Sequence, residues 1–339
     1  MGAELLKIRF GIGLPTRTPT FTIAKVAQIA EQLGFDSVWL SDNYATRNAF
    51  VGLTHMALTT RSIGLGLGAT NPYLVNPAVL ASFFGTLNEI SGGRSILGIG
   101  AGDVNMLQDL GIKQERPIST VREYVQILNE LWAGNILHYT GHVFNMARAR
   151  LQFEIEKPPP IYVAAQGPMM IQLAAEIANG VLINAAHPTD YTFVKTQLDK
   201  GFTRLGRKKD TFDVTAYVIL SMAQSSTETH EARKIVVAHI IAGAPETVLA
   251  RHEISQAQVE KLKSLLWQDK LLEAAKMVTP EMLDAFAIVG TPKECLRRIE
   301  QLIRTGVTHV VLAPPLAPSP REVLEQLRKK IIFAFLDPN

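Results

Sequence analysis

The sequence predicts an α/β protein of the (β/α)₈ TIM-barrel class, with insertions after the fourth and seventh strands. Short runs of apolar and β-branched residues alternate with stretches of helical periodicity, and eight such pairs follow one another along 339 residues. The runs are almost continuously apolar, which is typical of parallel strands covered by helices on the outer face. An open, doubly wound sheet is the alternative, but eight units favour closure into a barrel.

The first half of the chain contains four of the predicted strand–helix pairs. In the first helix Ile23, Ala27 and Ala30 recur at helical spacing, and Gly34 then occupies the position that commonly ends a helix. Pro77 stands where the third helix begins, which is a favoured place for proline. The predicted strands are 7–14, 37–40, 62–68 and 95–100, and the helices that follow them are 20–33, 49–59, 77–90 and 120–132.

The second half of the chain contains the other four pairs and both insertions. An excursion at about 135–158 includes a predicted β-hairpin at 138–144 with its turn at Thr140–Gly141. A mostly helical insertion is expected at about 245–286, and residues 1–339 are interpreted as a single domain. The predicted strands are 161–165, 181–184, 213–222 and 309–313, with helices at 169–178, 190–205, 227–242, 292–305 and 320–332.

The composition argues against several classes of protein. The formal net charge is only +3 and the chain has no block of lysine and arginine, so nucleic acid is not expected as a partner. The single cysteine, Cys295, excludes an internal disulfide and a cysteine-rich metal site, and we expect it to be a buried apolar side chain. No apolar run is long enough for a membrane span and the first residues do not resemble a signal peptide, so a cytoplasmic protein is expected.

Two carboxylates follow predicted strands, at the end of the barrel where active sites of this class lie. Asp42 follows the second strand and Asp103 follows the fourth. Both can serve as acid–base groups whose pKa values depend on burial and neighbouring charges. Either carboxylate can instead cap the helix that comes next, so the sequence leaves both interpretations open. No histidine has a partner at metal-ligand spacing, and His55, His239 and His252 are expected to be structural or exposed.

The segment Ala165-Gln166-Gly167-Pro168-Met169 is the best candidate for a phosphate-binding loop. A glycine directly before a helix lets backbone N–H groups approach an anion, and the start of a helix favours negative charge. An ordinary strand-to-helix turn is the alternative. The glycines of 98–102 lack the spacing of a dinucleotide fingerprint, and we interpret them as room for a flat ring close to the backbone.

Several segments at the strand ends carry a resemblance to a known family. They are Thr70-Asn71-Pro72-Tyr73, 97–103 (Leu-Gly-Ile-Gly-Ala-Gly-Asp), 165–170, 182–185, 234–238, 242–245, Arg251-His252 and 289–292. In these segments the chain resembles the archaeal coenzyme F420-dependent methylenetetrahydromethanopterin reductases, which are members of the bacterial-luciferase-like superfamily. The resemblance keeps order and spacing from about Phe10 to the last helix.

The resemblance implies a hydride-transfer enzyme of one-carbon metabolism. Reduced F420 would pass a hydride to methylenetetrahydromethanopterin, or to methylenetetrahydrofolate, and give the methyl form in a reversible reaction. The implied cofactor is coenzyme F420, with no tightly bound flavin and no metal. The reduced pterin and F420 would be the partners, and a homodimer or homotetramer is expected.

The same resemblance assigns residues to the site. The deazaflavin ring of F420 would lie against a bulge after the third strand that contains a non-prolyl cis peptide bond, here between Gly68 and Ala69. The cofactor phosphate would contact the loop 165–169, and Asp42 and Asp103 would be the catalytic carboxylates around deazaflavin and pterin. The residues implied in cofactor binding are Asp42, Gly68, Ala69, Thr70, Gly102, Ala165, Gln166, Gly167, Pro168, Met169 and Asn184.

Two positions depart from the family pattern. The methanogen enzymes carry a glutamate, their favoured proton donor, after Phe-Gly-Ile at the end of strand one, but here Phe10-Gly11-Ile12 is followed by Gly13. Their strand-two motif ends Asp-His-Tyr, whereas this chain has Asp42-Asn43-Tyr44, and asparagine cannot titrate as histidine does. Either Asp42 or Asp103 acts as the acid, or the substrate differs. The alternatives are an F420-dependent oxidoreductase of an alcohol or sugar phosphate, an FMN-dependent luciferase-like monooxygenase, and a module that binds F420 without catalysis.

Overall fold

The computed structural model of the chain describes residues 8–222, 230–316 and 319–336, and its centre is a closed barrel of eight parallel strands. The strands are β1 Arg9–Leu14, β2 Ser37–Leu40, β3 Gly64–Thr70, β4 Ser95–Gly100, β5 Leu137–Thr140, β6 Asn145–Ala149, β7 Ile161–Ala164, β8 Gly180–Ile183, β9 Asp213–Met222, β10 Ala287–Gly290 and β11 His309–Ala313. The barrel order is β1-β2-β3-β4-β7-β8-β9-β11, and the pairing of β11 with β1 closes the ring. The predicted barrel with its eight strands is confirmed, although Lys7, where the first predicted strand begins, lies outside the described residues.

Helices cover the outside of the barrel. The predicted helices after barrel strands one to six are all present, with ends that agree to within a few residues. The helices are α1 Thr20–Gln32, α2 Ala49–Thr59, α3 Pro77–Ser91, α4 Val104–Asp109, α5 Pro117–Trp132, α6 Pro168–Ile177, α7 Pro188–Leu205, α8 His230–Gly243, α9 Glu246–Arg251, α10 Gln256–Trp267, α11 Leu271–Met277, α12 Pro280–Phe286, α13 Pro292–Arg304, α14 Pro320–Leu327 and α15 Phe333–Leu336. A π-helical segment, Arg328–Ile332, joins the last two.

Trp39 fills the inside of the barrel because the neighbouring strand presents glycine to it. A Cβ atom at Gly66 would lie 2.2 Å from the indole ring of Trp39, so only glycine leaves room for that ring. Trp39 is fully buried and packs with Tyr162, Leu182 and Val311. We call these four residues the central cluster. It forms the floor beneath the carboxyl ends of the barrel strands.

The predicted hairpin is present and packs on helix α5, in the layer outside the barrel. Strands β5 and β6 pair antiparallel, and they follow a helix rather than a barrel strand. Glu123 of α5 anchors their turn, because its carboxylate accepts the N–H groups of His142, Val143 and Phe144 at 2.9, 3.0 and 3.1 Å. Helix α5 therefore holds the hairpin turn in the outer layer of the molecule.

The second insertion follows β9 and lies at the strand carboxyl ends. Its helices share a hydrophobic cluster that includes Val237, Ile241, Leu262 and Phe286, and Ile219 of β9 joins this cluster. The helix predicted at 227–242 is present as α8 from His230, with 227–229 outside the described residues. Because α8 packs mainly on α10 and α11, it belongs to the insertion, whose helices extend over 230–286. The seventh helix of the outer ring is therefore α13.

Strand β10 has no counterpart among the predicted elements. It pairs in parallel with the carboxyl half of β9, from Ile219 to Met222, beyond the stretch of β9 that pairs with β8. Its four residues are apolar, but so short a run after a helix cannot be distinguished from the end of that helix by periodicity. This pairing attaches the inserted helices to the barrel.

Candidate active site

The loops that follow β2, β3 and β4 enclose a cavity at the carboxyl end of the barrel. Its volume is about 270 Å³, and Asp42, Ala69, Asn71, Gly102 and Asp103 all line it. The two predicted carboxylates therefore share one cavity with two of the residues predicted to contact a flat ring. This common location follows from the barrel, because neighbouring parallel strands end at the same rim.

Strand β3 ends in the predicted bulge. The peptide bond between Gly68 and Ala69 is cis, and the register between β3 and β4 shifts at this point. A Cβ atom at Gly68 would lie 3.1 Å from Trp39 and 3.2 Å from Leu182, so the bulge rests directly on the central cluster. The prediction of a bulge with a non-prolyl cis bond at this position is confirmed.

Asp42 is a partly buried carboxyl group without a role in helix capping. Burial raises the pKa of Asp42, and the nearby hydroxyl of Thr70 offsets only part of that shift. The contact between the two side chains does not reach hydrogen-bond geometry, and Oγ1 of Thr70 is buried without a partner among the described residues. Helix α2 is capped by Asn48, so the capping interpretation does not apply to Asp42.

Asp103, in contrast, caps a helix and also faces the cavity. Its Oδ1 accepts the backbone N–H groups of Asn105 at 2.8 Å and of Met106 at 3.2 Å, at the start of α4. Its Oδ2 would lie 3.8 Å from a Cβ atom at Gly243 of α8, so the insertion packs close above this carboxylate. One oxygen of Asp103 is thus structural, and the other is available to a ligand.

A second and larger cavity, of about 610 Å³, opens between Asp103 and the inserted helices. Its far wall carries Glu260, Lys263 and Trp267 of α10, none of which the sequence indicated as a site residue. The side chain of Trp267 is 80% exposed, which leaves its ring face free for stacking. No local signal marks these residues, because they reach the mouth only through the folding of the insertion.

His239 of α8 also lines the larger cavity, as does Asn43 of the β2 loop. It is exposed, as expected, but it lies among charged groups. Burial and the charge of Arg17 lower the pKa of His239, whereas Asp103 opposes that shift. The structure therefore brings an imidazole to the cavity that Asn43 lines, although Asn43 itself cannot titrate.

The proposed phosphate loop lies at the start of α6 and does not line the two cavities described above. Gly167 is the N-cap residue, and no side chain caps this helix, so its first N–H groups keep their capacity to donate. A Cβ atom at Gly167 would have nothing within 4 Å. Beside this loop, Oδ1 of Asn184 is buried without a partner among the described residues. Free donors and open space are what an anion requires at a helix start.

The remaining titratable groups that the sequence singled out have structural or surface positions. His252 contributes Nε2 to a 2.8 Å contact with buried Asp190, which Arg251 also contacts at 2.9 Å, and Cys295 is buried. His55 packs edge-on against exposed Phe21. Across the described ranges, no group of three or more His, Cys, Asp and Glu side chains is arranged to hold a metal ion. None of the described helices combines the length and apolar character that a membrane span requires.

Comparison of the sequence with known proteins gives full-length matches. The family model for luciferase-like monooxygenases matches residues 5–309. A 5,10-methylenetetrahydromethanopterin reductase from Archaeoglobus fulgidus is 42% identical over 331 residues, which cover 96% of this chain and 99% of that protein. The protein of the same name from Methanolobus tindarius is 40% identical, with 95% and 99% covered.

Comparison of the structure gives the same result. The solved structure of the coenzyme F420-dependent tetrahydromethanopterin reductase from Methanopyrus kandleri superposes with a TM-score of 0.88 at 33% identity, covering 97% of this chain and 99% of that one. An F420-dependent secondary alcohol dehydrogenase superposes with a TM-score of 0.83, but at 19% identity that likeness concerns the fold alone. The chain belongs to the luciferase-like monooxygenase family and, within it, to the family of 5,10-methylenetetrahydromethanopterin reductases.

Proposed function

We propose that this chain is a coenzyme F420-dependent reductase that transfers a hydride from reduced F420 to methylenetetrahydromethanopterin, or to methylenetetrahydrofolate, and gives the methyl form reversibly. The observation that carries the proposal is 42% identity to a reductase of this name over 96% of the chain. When bound, F420 supplies the hydride chemistry, and the protein binds and orients the reactants and controls the proton.

The residues at the barrel mouth fit such a cofactor. Gly68 and Ala69 are partly exposed above the central cluster and carry no bulky side chain, which lets a flat ring approach closely, and Thr70 is buried beside them. The uncapped start of α6 at Gly167 offers N–H donors to a phosphate. The unpartnered oxygen of Asn184 supplies an acceptor next to that loop. We assign these residues to F420 binding, together with Asp42, Gly102 and the other residues of 165–169.

Asp42 is the better candidate for the proton donor. A methylene group that bridges two nitrogens opens to an iminium before it accepts a hydride, and an acid near the pterin nitrogen assists this opening. Because burial raises its pKa, Asp42 keeps its proton at a higher pH than an exposed carboxyl does. Asp103 uses one oxygen for the α4 cap, and we assign its other oxygen to substrate orientation.

We also propose that the enzyme needs no tightly bound flavin and no metal, that it is cytoplasmic, and that it forms a homodimer or homotetramer. On α2, Val51 and Leu58 are 60% and 70% exposed and flank His55 at helical spacing, and Phe21 of α1, 82% exposed, packs against that histidine. Val79 of α3 is 61% exposed. Apolar side chains that continue over neighbouring helices mark an interface, and a second copy of the chain covers it. Leu58→Glu should then lower the mass measured by light scattering; an unchanged mass would place the interface elsewhere.

A second candidate function is an F420-dependent oxidoreductase with another substrate. Gly13 and Asn43 favour it, because two titratable side chains of the methanogen enzymes are absent at these positions. The F420-dependent glucose-6-phosphate dehydrogenase of Microbacterium testaceum is 28% identical over 89% of this chain. A sugar phosphate or an alcohol would then occupy the larger cavity in place of the pterin.

The test is spectrophotometric. Reduced F420 is mixed with the protein and methylenetetrahydromethanopterin, then methylenetetrahydrofolate, and oxidised F420 is mixed with a secondary alcohol or glucose 6-phosphate. Cofactor oxidation by either pterin supports the first proposal, and turnover restricted to the alcohol or sugar phosphate supports the second. Stoichiometric flavin in the purified protein would indicate a monooxygenase. Tight F420 binding without any turnover would indicate a binding module.

A further inference from the structure

The space that a side chain at position 13 would occupy is filled by a tyrosine from another strand. Gly13 lies on β1, and a Cβ atom built on it would be 2.3 Å from Oη and 2.5 Å from Cζ of Tyr217. Tyr217 belongs to β9, which is separated from β1 by β11 in the barrel. Its ring therefore reaches across one strand and places its hydroxyl above Gly13.

The surroundings of Tyr217 connect it to the cofactor platform. Tyr217 packs against the central cluster, and so does Ala69 of the bulge. Tyr217 is also partly exposed, although it is an inward-facing residue of a barrel strand. Its ring therefore opens toward the mouth of the barrel, on the floor over which Ala69 lies.

The hydroxyl of Tyr217 has no hydrogen-bond partner in the described part of the chain. The other polar groups of the cluster are satisfied, because Tyr162 bonds Asp213 and the indole N–H of Trp39 donates to Ser37 at 2.9 Å. The hydroxyl is not sealed from solvent, because the ring opens toward the mouth, so a water molecule or a polar atom of a ligand can form a hydrogen bond with it. The geometry is that of a hydroxyl held ready for a molecule in the mouth.

The protonation state defines what this hydroxyl can do. Burial raises the pKa of Tyr217 well above that of a free phenol, so the group is neutral at physiological pH. A neutral phenol can donate and accept a hydrogen bond, but it is a poor proton donor for catalysis. Tyr217 therefore takes the place of the missing glutamate side chain without taking its acid function.

We infer that Tyr217 is a positioning residue that forms a hydrogen bond with a polar edge atom of the deazaflavin ring. The inference rests on the proposed function, in that the ring must lie on the bulge at Gly68–Ala69. It leaves proton transfer to the carboxylates. The inference also explains how a chain with Gly13 can offer a polar group to the cofactor beside β1, because the hydroxyl of Tyr217 lies there.

The test compares Tyr217→Phe with Tyr162→Phe, which removes a hydroxyl of the same cluster that has a protein partner. Without ligand, Tyr217→Phe should keep the wild-type Tm within about 2 °C, whereas Tyr162→Phe should lower it by several degrees. By fluorescence titration, Tyr217→Phe should raise the Kd for F420 about three- to tenfold, and Tyr162→Phe should leave it within twofold. The pKa values of the pH–rate profile should not move in Tyr217→Phe, because the phenol does not titrate there.

The outcomes separate the inference from the function on which it rests. If the wild-type protein binds no F420, the proposed function fails. If the wild type binds F420 and Tyr217→Phe binds it equally well, Tyr217 does not contact the cofactor and the inference is overturned. A shifted pH–rate profile in Tyr217→Phe would also overturn it, because the hydroxyl would then be an acid–base group.

Discussion

Gly167 offers the most direct test of where the cofactor phosphate binds. Its φ of −85° and ψ of 155° are ordinary for any residue, and a Cβ atom there would have nothing within 4 Å. Aspartate is moreover a favoured N-cap residue, only slightly better than glycine. We therefore expect Gly167→Asp to fold normally, with a free energy of unfolding within about 0.5 kcal/mol of the wild type.

The same substitution opposes a phosphate in two ways. The new carboxylate accepts the free N–H groups of α6, and its charge repels the anion. Two like unit charges about 5 Å apart repel each other by about 1 kcal/mol in water and about 3 kcal/mol at an effective dielectric constant of about 20. We expect the Kd for F420 to rise about 5- to 150-fold at low salt, and by less at high salt because the charges are screened.

Fluorescence titration of F420 at low and high ionic strength measures this effect. Ser255→Asp is the matched control, because Ser255 is the exposed N-cap of α10, outside the proposed phosphate loop. Gly167→Ala adds a side chain without a charge. It should raise the Kd for F420 by less than Gly167→Asp does, and salt should not change that increase. If Gly167→Asp binds F420 within twofold of the wild type at an unchanged Tm, the phosphate does not bind at the start of α6.

Four further predictions concern the carboxylates and the barrel interior. Asp103→Asn keeps an oxygen for the α4 cap, so Tm and the Kd for F420 should change little while kcat falls tenfold or more; an unchanged kcat would remove Asp103 from the mechanism. If Asp42 is the acid, kcat should decline as pH rises through the raised pKa of Asp42. Asp42→Asn should abolish this decline, and a decline that remains in the variant would show that another group is the acid. In the ligand-free protein the raised pKa makes ionisation of Asp42 unfavourable in the folded state, so the free energy of unfolding should fall as pH rises from about 3.8. Urea titrations at several pH values should show a weaker dependence of the free energy of unfolding on pH in Asp42→Asn than in the wild type. Gly66→Ala places a Cβ atom 2.2 Å from the ring of Trp39 and should cost about 1–3 kcal/mol in urea unfolding; no loss would show that Trp39 can move aside.

The elements that position the site could be predicted from the sequence because their signals are local. The apolar runs and the proline and glycine helix boundaries indicated all eight barrel strands, and the barrel class then placed Asp42 and Asp103 at one rim. The sequence could not decide whether a carboxylate caps a helix. The structure shows that Asp103 does and Asp42 does not, because the helix after Asp42 begins only at Ala49.

The residues that complete the site have no such local signal. Tyr217 lies in an apolar strand whose period indicates only an inward position, and its closeness to Gly13 depends on the stagger of strands across β11. His239 and Trp267 lie on helices whose pattern indicates packing, and they meet the mouth because the whole insertion folds over it. Contacts between residues distant in sequence depend on tertiary structure, which periodicity does not encode.

The separate hydrophobic cluster of the inserted helices affects how an enzyme of this kind can acquire new substrates. Because Val237, Ile241 and Leu262 share no member of their cluster with the one around Trp39, the effects of substitutions in the two clusters should be nearly additive, apart from those at Ile219 of β9, where the inserted helices meet the barrel. The roof over the mouth can therefore be remodelled by successive changes while the platform at Gly68–Ala69 stays in place. If substrate and cofactor bind as proposed, substitutions among the inserted helices can change contacts with the substrate while the residues proposed to bind F420 are little affected.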